Sequence, residues 1–148
     1  MNNILKKIIK KKKDKIKISK NLYTENKILE NIKNLKNACD FKNKIKNEDS
    51  NKKISIIAEI KKASPSAGEI IKNYDPLNIA KIYIENGASC LSVLAEEDYF
   101  FGKLDHIKII KDNFNIPVLC KDFFIDTYQV SLAKSFGADC ILIILSAI

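Results

Sequence analysis

Four apolar runs, separated by three segments of helical spacing, constrain this chain more than any other feature. The runs are ISIIAEI at 54–60, ASCLSVLAE at 88–96, IPVLCKD at 116–122 and ADCILIIL at 138–145. None alternates cleanly between apolar and polar residues. Each therefore reads as a strand covered on both faces, as in a parallel sheet packed under helices. The intervening segments carry helix punctuation. Asp75 is a good N-cap, and Pro76 suits the first helical position, where its missing N–H would have no partner anyway. That helix runs through IAKIYIEN and stops at Gly87. KLDHIKIIKDN is a second helix, and Asp126 caps a third, TYQVSLAKSF, which ends at Gly137. The resulting order is that of an α/β fold with right-handed crossovers. It fits either an open doubly wound sheet or the first half of an eightfold β/α barrel. No GxGxxG follows the first run, so a dinucleotide fold has no positive support.

The N-terminal third is helical and rich in lysine. Ile4, Leu5, Ile8 and Ile9 recur at helical spacing, and Ile16 and Ile18 extend the stripe. A second helix is expected from Thr24, its cap, to Lys36, with Ile28, Leu29, Ile32 and Leu35 on one face. DFKNKI at 40–45 adds a short helical turn, and NEDSNKK at 47–53 reads as a polar linker. The division expected is a helical extension over 1–53 and a strand-and-helix unit over 54–148.

The net charge is +8, and every basic residue is lysine. Lysine, asparagine and isoleucine are abundant throughout, and each has codons made only of A and T. A base-composition bias therefore yields this charge without a polyanionic partner. The lack of arginine also argues against a nucleic-acid reader, since arginine favours bidentate contacts to phosphate and guanine. No apolar run reaches the ~18 residues of a membrane span, and the N-terminus lacks a signal-peptide pattern. A cytoplasmic location is expected. Cys39, Cys90, Cys120 and Cys140 contain no CxxC pair, and His106 is the only histidine, so a zinc site of usual spacing is unsupported. Three of the cysteines lie in apolar runs and read as buried, reduced thiols.

In both architectures ligands bind at the carboxyl ends of the strands. The first run ends in Glu59 and Lys61, followed by Ser64, Pro65 and Ser66. The second ends in Glu96, Glu97 and Asp98, followed by Tyr99, Phe100, Phe101 and Gly102. The third ends in Lys121, Asp122 and Phe123. Glu59 and Lys61 are two apart and face the same side of a strand. Lys121 comes from the alternate strand and can join the same layer. One carboxylate and two amines can bind an anion and move protons; equally, they can be solvated rim ion pairs. The Ser64–Gly68 loop can present backbone N–H groups to an anion or be an ordinary turn. The aromatic run can wall a site or seal the core.

Four stretches carry a resemblance: IAEIKKASPSAG, DPLNIAKIYIENGASCLSVLAEEDYFFG, IPVLCKDFFIDTYQV and AKSFGADCILII. In this order they resemble indole-3-glycerol phosphate synthase, and the helical segment ending in DF matches that family's N-terminal extension. The resemblance implies a TIM (β/α)8 barrel, here its first four strands and three crossover helices. It implies ring closure, with loss of CO2 and water, of 1-(2-carboxyphenylamino)-1-deoxyribulose 5-phosphate in tryptophan biosynthesis. It implies no cofactor or metal, and no nucleic-acid or membrane partner. By motif, Lys121 resembles the general acid, Lys61 the lysine that holds the substrate's anionic groups, and Glu59 a carboxylate that positions Lys121. Ser64 resembles a substrate-contacting hydroxyl, and Phe101 and Phe123 the apolar wall around the anthranilate ring. Cys39 stands where the family usually has arginine, and Ala95 where threonine is usual. The family continues with four more β/α units, which carry a second catalytic glutamate and the phosphate grip. The resemblance thus implies a chain truncated after the fourth strand. It is expected to be inactive alone, and to associate with itself or with a complementary C-terminal half-barrel. The alternative is a non-catalytic fragment that pairs with such a half.

Overall fold

The computed structural model describes residues 3–35, 38–50 and 54–148. Three helices come first: α1 (Asn3–Leu22), α2 (Glu25–Lys33) and α3 (Phe41–Ser50). Then follow β1 (Ile57–Ile60), a hairpin of β2 (Ala63–Ser64) and β3 (Gly68–Glu69), α4 (Pro76–Glu85), β4 (Cys90–Leu94) and α5 (Leu104–Asn113). The chain continues through β5 (Val118–Lys121), α6 (Thr127–Ser135), β6 (Cys140–Ile141) and a 3₁₀ turn over Leu145–Ala147. No helix among the described residues is long and apolar enough to cross a membrane.

The main sheet has the order β1-β4-β5-β6, and every neighbouring pair is parallel. This order settles what the sequence left open. A doubly wound sheet reverses direction at a switch point; here each strand is added beside its predecessor, as around a barrel. The capping signals act as expected. Asp75 accepts from the N–H groups of Leu77 (3.0 Å) and Asn78 (3.2 Å). Asp126 accepts from Tyr128 N–H (2.9 Å), while Gln129 Oε1 reaches back to accept from Asp126 N–H (3.1 Å). Gly87 and Gly137 have φ of 88° and 98° just past the ends of α4 and α6, a conformation that disfavours a side chain.

The core lies between the sheet and α4–α6. It is built from the helix-facing residues Ile60, Leu91, Val93, Val118 and Cys120 with Ile107, Ile110 and Ala133. The expectation of strands covered on both faces holds in the middle and fails at the rims. Ile54 is 88% exposed, and Ile56 and Ile57 are also open to solvent. At the other rim, Leu142, Ile143 and Leu145 are exposed, and β6 pairs only through Leu119↔Cys140 and Cys120↔Ile141. Among the described residues each of these strands has a neighbour on one side only, so the backbone groups along its outer edge have no strand to pair with. Cys140 shares this rim and is half-buried, unlike Cys90 and Cys120; all four cysteines are free thiols.

The N-terminal helices also depart from expectation. On α1 the buried face runs Ile8, Lys12, Ile16, at intervals of four, and Ile18 falls outside it. On α2, Ile28 is buried against Leu132 and Phe136, while Leu29, about 100° around the helix, is exposed. Thr24 caps α2 through Lys27 N–H (3.4 Å); Lys36, the expected end of this helix, lies outside the described residues. Residues 47–50 belong to α3 rather than to a linker, and 51–53 lie outside the described residues.

A second buried cluster ties α5 to the amino ends of the strands. Lys111, with its side chain 5% exposed, donates to Asp139 Oδ2 (2.8 Å), to the Ile116 carbonyl (3.2 Å) and to Cys39 Sγ (3.2 Å). Asp139 also accepts from the N–H groups of Val118 (3.0 Å) and Cys39 (2.8 Å). Removing one partner of a buried pair strands the other charge. Asp139→Ala is therefore expected to destabilise the chain by about 3–5 kcal/mol, read as a lower urea midpoint. Lys108→Ala, which breaks the exposed Lys108–Asp112 pair (2.8 Å) on α5, is expected to change stability by less than ~0.5 kcal/mol.

Candidate active site at the carboxyl ends of the strands

Glu59 lies on β1 opposite Ser92 of β4, and Lys121 closes β5 opposite Leu94. The two-residue period of a strand sends Glu59 and Lys61 to the same side, away from the helix-packed Ile60. The two ends of this arrangement meet. Lys61 Nζ donates to Glu59 Oε1 (2.6 Å), and Lys121 Nζ donates to Glu59 Oε2 across the intervening strand. Each carboxylate oxygen thus holds one ammonium, and the cluster carries a net positive charge. Partial burial pushes the Glu59 carboxyl up, but the hydrogen bonds and charges of Lys121 and Lys61 outweigh it and hold it below its ordinary value. The three side chains remain about one-third exposed, within reach of a solute.

The loops around the cluster are built by the backbone. Ser64 and Gly68 pair across the β2–β3 hairpin, and Ser64 Oγ accepts from Ala67 N–H (3.2 Å). The hydroxyl therefore closes its own turn, and Ser66 Oγ lies 3.4 Å from it. After β4, Glu96 is 1% exposed and organises the aromatic run. Its carboxylate accepts from the N–H groups of Asp98 (3.2 Å), Tyr99 (2.7 Å) and Phe100 (3.2 Å). Gly102 closes the loop against β4, where an added Cβ would sit 2.2 Å from the Leu94 carbonyl oxygen. Within this loop Phe100, not Phe101, faces Phe123, with ring centroids 6.4 Å apart. Phe101 has φ of 53° and is exposed, with Lys62 Nζ 5.9 Å from its ring. Of the six residues singled out from the sequence, Glu59, Lys61 and Lys121 converge directly. Phe123 lies against Phe100, Ser64 lies in the hairpin beyond β1, and Phe101 meets Lys62 rather than Phe123.

Lys12 escaped sequence reading. Its ammonium bridges Asp122 Oδ1 (2.7 Å) and Oδ2 (2.9 Å), with side-chain exposures of 7% and 12%. One turn on, Lys15 holds Glu97 (2.6 Å) and Asp98 (3.1 Å), and Lys20 holds Asp126 (2.7 Å). The lysine run is therefore divided. One face of α1 is electrostatically seated on the loops after β4 and β5; Lys6, Lys7, Lys10, Lys13 and Lys17 face solvent. A signal for Asp122 did exist, because it follows Lys121 and must point to the opposite side of the strand. Nothing in the sequence says which of many lysines meets it. Burial pushes the Cys120 thiol far up, which leaves it an inert core residue. Among the described residues no three His, Cys, Asp or Glu side chains gather as a metal site.

The family model described as indole-3-glycerol phosphate synthase matches residues 5–148. Curated proteins of that name are similar over nearly the whole chain. The protein from Bordetella pertussis is 38% identical over 148 residues, covering 100% of this chain and 56% of its own length. That from Legionella pneumophila (strain Lens) is 42% identical over 146 residues, covering 99% and 55%. That from Alkaliphilus metalliredigens is 41% identical over 145 residues, covering 98% and 54%. The chain spans about half the length of the curated relatives it matches. A match of this extent, on a parallel sheet with a carboxylate–diamine cluster at its carboxyl edge, shows that the chain belongs to the indole-3-glycerol phosphate synthase family.

Proposed function

We propose that this chain carries the first half of the active site of an indole-3-glycerol phosphate synthase, with residues 1–53 as a helical extension and 54–148 as four strands of the barrel. The observation that carries the reading is the Glu59 carboxylate shared by Lys61 and Lys121 at the carboxyl ends of β1 and β5. The substrate proposed is 1-(2-carboxyphenylamino)-1-deoxyribulose 5-phosphate. Lys121 donates a proton to the ribulose carbonyl oxygen as the aromatic carbon attacks the carbonyl carbon, which makes that carbon electrophilic enough for ring closure. Loss of CO2 restores the electron pair to the ring, and loss of water completes the indole. Lys61 holds the substrate's anionic groups and assists the later proton transfer. Glu59 orients Lys121 until substrate takes its place. Ser64, Phe101 and Phe123 contact substrate in this reading, and the ring contact between Phe100 and Phe123 adds Phe100 to the apolar wall.

Turnover on this reading needs the sheet edges closed. The exposed Ile54, Ile56 and Ile57 at one rim and Leu142, Ile143 and Leu145 at the other fit pairing with a further four-stranded β/α unit, whether a complementary C-terminal half-barrel or, by self-association, a second copy. A half-barrel that binds such a unit without catalysing is the alternative. Mixing the purified chain with the separately expressed C-terminal half of one of the relatives separates them. Formation of indole-3-glycerol phosphate in the mixture is expected, with a loss of about 100-fold or more in Lys121→Met. Lys121→Met turning over at the parental rate would overturn the assignment, and stable pairing without turnover would favour the alternative.

The acid side of the profile follows from Glu59. Its folded-state value is lowered, so the stabilisation it brings is complete above the unfolded-state value, about 4.3, and is lost as pH falls through the folded value. Carbon-13 titration of the side-chain carboxyls is expected to show Glu59 protonating below the exposed glutamates. Lys61→Met should bring it closer to them.

A further inference from the structure

Lys121, Asp122 and Phe123 are consecutive, and the strand period turns the first and second to opposite sides. Lys121 meets Glu59 on one side; Asp122 meets Lys12 of α1 on the other. Asp122 Oδ1 also accepts from Phe123 N–H (2.7 Å), so the same carboxylate sets the backbone that carries the aromatic ring. A bidentate grip on a buried carboxylate leaves the end of β5 little freedom to rotate. The adjacent turn of α1 repeats the arrangement at the neighbouring strand. Lys15 holds Glu97 and Asp98, which precede Phe100, and Phe100 and Phe123 are the two rings that face one another.

We infer that Lys12 is a positioning residue for the proposed active site, acting through Asp122 to fix the strand end that presents Lys121 and Phe123. This rests on the functional reading above. The contacts of Lys12 are with Asp122, on the opposite side of the strand from the Glu59 cluster. Its effect is to hold Lys121 within hydrogen-bond reach of Glu59 and of the carbonyl oxygen that Lys121 is to protonate. Such placement matters because small displacements of a reacting group are costly in rate. Burial already pushes the Asp122 carboxyl up, with Lys12 and the Phe123 N–H opposing. Without Lys12 this carboxyl takes up a proton or turns towards water, and the strand end loses its anchor.

The test uses the full chain with Lys12→Met and with the double variant Lys12→Met/Asp122→Asn, which removes both charges and leaves none stranded. Two readouts are followed: urea stability, and the carbon-13 titration midpoint of the Glu59 carboxyl. Lys12→Met is expected to lower the urea midpoint and to raise the Glu59 midpoint towards the ordinary carboxylate range. The double variant is expected to recover stability while its Glu59 midpoint stays raised. In the half-barrel mixture it should turn over about tenfold or more slowly in kcat, with KM roughly unchanged. A double variant whose Glu59 midpoint returns to the parental value overturns the inference, because the pair is then only structural. A folded Lys12→Met that leaves that midpoint unmoved overturns it equally. If Lys12→Met fails to fold, the double variant decides alone. Should the parental mixture show no turnover, the functional reading fails while the Glu59 titration still tests the role of Lys12.

Discussion

A strand that ends in two adjacent charges must satisfy them on opposite faces, and the carboxyl end of β5 is built on that constraint. Lys121 turns to the side where Glu59 waits, and Asp122 turns to the helix side, where α1 supplies the cation. A buried carboxylate without a partner would be expensive. The seating of α1 is therefore part of what lets this strand keep its sequence. The backbone that carries Phe123 and the docking of α1 through Lys12 both follow from this one point.

The order of elements was legible because strands and helices differ in period, and because Asp75, Pro76, Gly87, Asp126 and Gly137 mark where one gives way to the next. The convergence of Glu59, Lys61 and Lys121 was legible for a similar reason: the side-chain period of two and the alternation of strands need no tertiary knowledge. What stayed hidden depended on neighbours. Ile54 and Leu145 have the composition of covered strand ends, yet they lie at the two rims of a four-stranded sheet. Leu29 looks as apolar as Ile28, but only Ile28 lies on the face of α2 that reaches α6. Phe101 and Phe100 could not be told apart by spacing. The left-handed backbone at Phe101 and the grip of Glu96 on the preceding N–H groups decide which ring turns inward.

Lysine supplies all the cationic chemistry in this chain. A lysine ammonium is a single point with three donors, and it lacks the planar fork of arginine. The structure compensates by giving important lysines several acceptors at once. Lys111 spans a carboxylate, a carbonyl and a sulfur; Lys12 spans both oxygens of Asp122; Lys15 spans two acids. The Cys39 sulfur joins the Lys111 cluster, so this helix-to-strand junction is held by a donor on α5 and acceptors around it.

The sequential strand order of this TIM-barrel family member also has a consequence in time. Each strand pairs with the one laid down just before it, so the sheet can grow in the direction of synthesis through short loop closures, which favour fast assembly. The first helix is the exception. Lys12 and Asp122 are 110 residues apart, so α1 finds its seat only after the whole stretch to the end of β5 has been made. Until then its buried face of Ile8, Lys12 and Ile16 has nothing to rest on. The lysines that crowd the same helix keep that waiting segment hydrated and apart from its like.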